Sequence, residues 1–306
     1  MSTVVHLGGG HCGDDTLWLV RVTRYRYLFL ILVGLSACRV FADTGSEPGY
    51  RIIALSPHLA ELVFAVGAGD RLIGVSAYTD FPEAAAKLPV VGDAFMLDLE
   101  RLIVLQPDLL LAWQSGMPVH VLDELRSHGY RLEVIRTMSL TDIPVALRRI
   151  GELTGHSATA NVVADAFVAG LDSLAALATD AAPIRVFYQV SIRPLYTING
   201  EHYVSQLIEI CGGRNVFADL GKLAPLIGVE AVLERDPEVM LAADDAGPDA
   251  FSEWQRWPGI TANRYGNQFV MPAAAIGRAT PRLLEAGAAI CSALEEGRRN
   301  RDDFSD

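Results

Sequence analysis

Two acids in a repeated unit are the first residues whose type and spacing could do chemistry. Glu100 stands in DLERLIVLQPDLLLAW (Asp98 to Trp113) and Glu230 in GVEAVLERDPEVMLAA (Gly228 to Ala243), 130 positions further on. Each Glu lies seven residues before a proline, Pro107 or Pro237, which is followed by an acid and an apolar strand-like run. The prolines stop a helix, and Asp108 and Glu238 read as solvated turn acids, so these parts are explained by two lobes built alike. Leu102/Ile103 and Val232/Leu233 should turn inward, leaving each Glu on the exposed side of its first helical turn. The helix dipole favours an acid there by ~0.3–1 kcal/mol. Such a pair either serves its own helices or has a shared task.

Other reactive groups form no catalytic pattern. The seven His are scattered, and no GxSxG, HExxH, P-loop or GxGxxG occurs. Carboxylates are too numerous for one general acid–base pair to stand out. The chain is not read as an enzyme, and no catalytic residue is assigned. Without a CxxC or a Cys/His cluster, no metal site and no resident cofactor are expected.

The elements that must carry these residues follow from the whole chain. Its 306 residues suffice for two lobes with separate cores. A net charge of −12 argues against a nucleic-acid partner, which rewards basic surfaces. Near the N-terminus, Arg21, Arg24 and Arg26 precede an apolar run from Tyr27 to Ala37. That reads as an export signal, too short for the ~20 residues a membrane span needs. Its basic part begins late, which suggests an over-extended start. Cleavage after Ala42 in VFA is the favoured processing, with lipidation of Cys38 in LSAC as the alternative. Either way the mature chain leaves the cytoplasm. Its remaining cysteines, Cys211 and Cys291, are a pair in an oxidising compartment, where a disulfide and two buried thiols both stand.

From Arg51 the pattern alternates strand and helix. Ser56 and Pro57 suit the N-cap and first position of a helix, and Leu59, Leu62, Val63 and Val66 recur at helical spacing. Strands are expected near Leu109 to Ala112 and Arg131 to Val134, and helices at Leu99 to Leu105 and Val119 to His128. After Ser139 strand-like runs stop. A long Ala-rich helix with Val163, Ala166, Phe167, Gly170, Leu171, Leu174 and Leu177 on one face is predicted, and then the alternation restarts. The predicted fold is α/β: two Rossmann-like lobes joined by one long α-helix, with a ligand cleft between them. The boundaries are a leader over 1–42, an N-terminal lobe over 50–140, a helical connector over 141–180, a C-terminal lobe over 183–298 and a charged tail over 299–306.

Five stretches in order, ALSPHLAELVFAVGAGDRLIGVSAYTDFP, DLERLIVLQPDLLLAW, LYTINGEHYVSQLIEICGGRNVF, VEAVLERDPEVMLA and RATPRLLEAG, resemble the helical-backbone (class III) substrate-binding proteins of ABC importers. Within that class the resemblance is to the periplasmic cobalamin (vitamin B12)-binding family. It implies a periplasmic protein that captures a corrinoid and delivers it to an inner-membrane permease dimer, and we expect it to act as a monomer. It also implies that Glu100 and Glu230 dock to the permease, that Cys211 and Cys291 bridge, and that Tyr78, Trp113, Tyr196 and Arg278 contact the ligand. The chain departs from the family where Ala94, Ala224 and Ala274 replace two Trp and an Asp; Phe95 could substitute for one ring. The alternative ligand is haem or a ferric siderophore. Haem would need an axial ligand such as Tyr78, Tyr196, His58 or His202, and a siderophore would draw on Arg193, Arg278 and Arg282.

Overall fold

The computed structural model describes residues 50–178, 182–247 and 249–304. The leader, with Ala42 and Cys38, lies outside the described residues. The first lobe runs β1 (Ile52–Ala54), α1 (Pro57–Ala65), β2 (Leu72–Val75), α2 (Leu99–Leu105), β3 (Leu109–Trp113), α3 (Val119–Ser127) and β4 (Leu132–Ile135). Two helices follow, α4 (Asp142–Thr154) and α5 (Ser157–Leu177). The second lobe holds β5 (Ile184–Gln189), the hairpin β6 (Ser191–Ile192) and β7 (Leu195–Tyr196), α6 (Tyr203–Ile210) and β8 (Gly213–Asn215). It continues with α7 (Val229–Arg235), β9 (Val239–Ala243), β10 (Gln268–Met271) and α8 (Leu283–Asp303).

Each lobe is built on a four-stranded parallel sheet, ordered β2-β1-β3-β4 in the first and β10-β9-β5-β8 in the second. Both sheets are covered on two faces, which is why their strands read as unbroken apolar runs. Side chains alternate between the faces: Ile52 and Ala54 enter one cluster and Ile53 and Leu55 the opposite one. In β5, Ile184 and Val186 point to that first cluster while Phe187 meets Trp254 on the far side. The first cluster continues from Ile52 through Ile150, Phe167 and Leu174 to Ile184 and Val239. One apolar layer therefore joins the inner faces of both sheets, and each large side chain buried in it contributes ~1.5–3 kcal/mol.

Helices α5 and α8 interlock inside this layer. A Cβ on Gly170 would come within 2.5 Å of Leu284, and one on Gly287 within 2.5 Å of Leu174. Each helix thus offers a leucine knob to a glycine gap in the other. The disulfide joins Cys211, which caps α6, to Cys291 in α8. It closes a span of 80 residues, and constraining the unfolded chain in this way contributes ~2–5 kcal/mol.

Several local expectations are corrected. The buried stripe of α5 is Ala160, Ala164, Phe167 and Leu174, whereas Ala166 and Leu177 are exposed; Ala166 lies one position, ~100° of rotation, off the stripe. Within the charged tail, residues 299 to 303 continue α8. Ser56 is the N-cap of α1 and Pro57 its first residue, but the Ser56 hydroxyl makes no cap bond and pairs with His58 Nδ1 at 2.5 Å. In α2, Leu102 is buried but Ile103 is 63% exposed, because a residue one step beyond the buried stripe turns away from it.

Asp108 and Glu238 are not idle turn acids. The Asp108 carboxylate accepts the Arg51 backbone N–H at 2.8 Å, and the Glu238 carboxylate accepts that of Arg185 at 2.9 Å. Each arginine then turns back on its helix: Arg51 donates to the Leu105 and Gln106 carbonyls and Arg185 to that of Asp236. Gln106 and Asp236, the C-caps of α2 and α7, are both left-handed, with φ of 46° and 40°. The repeat therefore includes an arginine clamp that finishes each helix.

Candidate functional site

The first lobe presents a hollow at the C-terminal ends of its strands, the usual place for ligands in parallel sheets. Its volume is about 330 Å³, and Ser56, Tyr78, Ala94, Phe95 and Trp113 contribute to its wall. Three neighbouring strands place them there: β1 runs into Ser56, β2 leads to Tyr78, and β3 ends on Trp113. Tyr78 is 83% exposed and adopts a positive φ of 64°, a conformation that costs a non-glycine residue energy and marks functional sites. Phe95 and Met96 are also exposed, beside Ala94. Their loop is fixed by Asp93, whose carboxylate accepts both backbone N–H groups at 2.8 Å, and those bonds lower its pKa.

Trp113 is half-buried and meets His58 edge-on, with ring centroids 5.0 Å apart. Among the described residues its Nε1 is buried without a hydrogen-bond partner, as is Ser76 Oγ at the same wall. His58 is held between Ser56 Oγ at 2.5 Å and Thr137 Oγ1 at 3.2 Å. Burial, reinforced by the Arg278 charge, lowers its pKa to about 3, so the imidazole is neutral and supports the Trp113 ring.

In the second lobe Tyr196 ends the β6–β7 hairpin and pairs by backbone with Leu226, an exposed apolar residue. Ala224, near Leu226, and Ala274 are exposed. A bigger hollow, about 600 Å³, lies beside Arg185, Arg214 and Arg235. It is less suited to an apolar ligand: Arg235 is bound to Asp219 at 2.5 Å and Arg185 to Asp236 at 3.5 Å.

Arg278 is not free in the cleft. Its guanidinium donates to Glu61 Oε1 at 2.8 Å, to Asp80, and to the Tyr78 carbonyl at 3.0 Å. Arg282 lies 3.5 Å from the same Glu61 oxygen and 4.4 Å over the Phe81 ring. Glu61, Asp80 and Phe81 belong to the first lobe and both arginines to the second. Sequence reasoning did not find this group, although a Glu inside the apolar run HLAELVFAVG signals a buried charge in need of a counterion. Arg193 is likewise engaged, with Glu253. His202 is the N-cap of α6, where its Nδ1 accepts the Val204 N–H at 3.2 Å, and burial lowers its pKa to about 4.

Glu100 and Glu230 occupy the same place in α2 and α7, the second residue of the first turn, and both are exposed. Among the described residues neither has an ion-pair partner. The helices start differently: Asp98 caps α2 by accepting the Arg101 N–H at 2.9 Å, whereas Gly228 caps α7 without a side chain. Beyond Glu100, Ile103 and Val104 are exposed apolar residues, so the two acidic corners differ in their surroundings.

Comparison with known proteins places this geometry among relatives. Residues 52–275 match the family model described as periplasmic binding protein. The vitamin B12-binding protein of Vibrio parahaemolyticus is 34% identical over 257 residues, covering 84% of this chain and 93% of the relative. The vitamin B12-binding protein of Pectobacterium atrosepticum is 34% identical over 256 residues, 80% of this chain and 88% of the relative. Among solved structures, the periplasmic vitamin B12-binding protein BtuF of Vibrio cholerae superposes with a TM-score of 0.75 at 31% identity, covering 82% of this chain and 98% of its own. The periplasmic heme-binding protein RhuT from Roseiflexus sp. RS-1 gives 0.72 at 22% identity, covering 81% and 99%, a likeness of fold alone.

Proposed function

The chain belongs to the periplasmic binding protein family, and from that premise we propose that it captures a corrinoid such as cobalamin in the periplasm and hands it to an inner-membrane ABC importer. The observation that carries this reading is the hollow walled by Tyr78, Phe95 and Trp113. A corrin is a broad, largely apolar disc, and exposed rings on a preformed wall are what would cover it. Tyr196, with Leu226 beside it, is proposed as the second lobe's contribution. The similarity to relatives named vitamin B12-binding proteins supports the same reading.

Haem fits less well. His58 has both ring nitrogens engaged and His202 caps a helix, which leaves Tyr78 and Tyr196 as axial donors. A siderophore reading would draw on Arg193, Arg278 and Arg282, all of which are committed to protein acids.

Delivery is proposed to use Glu100 and Glu230 as one acidic corner per lobe for arginines on two like permease subunits, where complementary charge sets orientation and on-rate. Export is proposed to end with release after Ala42, or with a lipid on Cys38. The lobes are taken as 50–140 and 183–298, with the helices over 141–180 as a connector that limits hinge motion.

Isothermal titration with cyanocobalamin, alongside haem followed by absorbance, tests the ligand. Cyanocobalamin should bind with a Kd of about 1 μM or tighter, and Trp113→Ala should weaken it about tenfold or more without unfolding the chain. A Soret shift with haem, together with cobalamin binding no tighter than ~1 mM, would overturn the reading.

A further inference from the structure

We infer that Arg278 is a positioning residue: reaching across from the second lobe, it holds the backbone at Tyr78 and so aims the Tyr78 ring along the ligand hollow. This goes further than the ligand reading and rests on it for the identity of the hollow's occupant. Tyr78 needs such a support. Its ring is exposed and its left-handed backbone is a conformation that a non-glycine residue keeps only when its surroundings impose it. The Tyr78 carbonyl accepts a hydrogen bond from Arg278 Nη2 at 3.0 Å, and two residues on Asp80 meets Arg278 Nη1. Phe81, the next residue, lies under the Arg282 guanidinium. Two arginines therefore hold residues 78, 80 and 81 from the opposite lobe.

Glu61 anchors those arginines. It is buried on α1, and one carboxylate oxygen lies 2.8 Å from Arg278 and 3.5 Å from Arg282. A planar guanidinium can serve a buried carboxylate, a second acid and a carbonyl at once, which a lysine ammonium does not reproduce. With Glu61, Asp80 and the Tyr78 carbonyl as acceptors, Arg278 acts on the ligand through Tyr78. The same atoms tie the lobes together beside the hollow, so the spacing of the lobes and the direction of the ring are set by one group.

Two measurements test this. In a double-mutant cycle on cyanocobalamin binding, Arg278→Met and Tyr78→Ala should each weaken affinity about tenfold, and the double variant should lose little more than either alone, as coupled residues do. Arg278→Lys should not restore binding. Losses that multiply in the double variant would show an independent ligand contact and overturn the assignment. Hydrogen exchange of residues 77–82 in the ligand-free protein should accelerate in Arg278→Met. The milder Asp80→Ala, which leaves the Glu61–Arg278 pair in place, should give the same result and serves if the first variant fails to fold. Unchanged exchange in a folded variant would overturn the positioning role. If the wild-type protein does not bind cyanocobalamin, the ligand reading fails, while the exchange measurement still decides the role of Arg278.

Discussion

Asp108 and Glu238 do the same work 130 residues apart: each accepts the backbone N–H of the arginine at the head of its lobe's first strand, Arg51 at 2.8 Å and Arg185 at 2.9 Å. Their surroundings differ. Asp108 is exposed, whereas Glu238 is 8% exposed and also lies 3.4 Å from Arg185 Nη1 and 3.7 Å from Arg301.

That difference predicts unequal costs. Glu238→Ala leaves a partly buried N–H without its acceptor and removes one of several acceptors from Arg185 and from Arg301, so it should destabilise by ~2–3 kcal/mol, while Asp108→Ala, open to water, should cost ~1 kcal/mol or less. Urea unfolding of the two variants measures this. Equal costs would mean that burial does not govern the clamp.

The proposed docking rests on Glu100 and Glu230, which no intramolecular ion pair engages among the described residues. Changing both to Ala should leave cyanocobalamin affinity within about twofold, since neither lines the hollow, and should abolish stable association with permease-containing vesicles. Each single variant should keep part of the association, and the remainder should weaken with added salt because exposed charges are screened. Undiminished association of the double variant would remove these residues from the interface.

Acid should weaken the fold through two histidines. Folded pKa values of about 3 for His58 and about 4 for His202 lie below the ordinary 6.5. Below pH ~6.5 the unfolded chain therefore binds protons that the folded chain refuses. The stability they contribute is complete above about 6.5 and is lost as pH falls towards about 4 and then about 3, at up to ~1.4 kcal/mol per pH unit for each group. Urea midpoints measured from about pH 7.5 to about pH 5 should fall, and His202→Asn, which keeps a capping side chain, should flatten the slope. A midpoint constant over that range would refute the neutral assignments.

The sequence by itself determined the architecture and its repeat. Apolar runs such as Ile52 to Leu55 and Leu109 to Ala112 declare strands buried on two faces, and helical spacing through Leu59, Leu62 and Val63 declares the covering helix, because local periodicity encodes which faces must leave water. The equal placement of Glu100 and Glu230 was legible for the same reason, and so were Tyr78 and Trp113, as residues at strand ends. Only the tertiary structure decided which charges meet. Arg278 finds Glu61 across 217 residues, and no periodicity records a contact that exists only once two lobes fold against each other. The same holds for Ile103, left outside by the set of its helix, and for His58, whose neutrality comes from the depth at which Ser56, Thr137 and Trp113 enclose it. Burial raises the cost of an unpaired charge, so the partner of each buried ionisable group is chosen by the packed chain and not by its neighbours in sequence.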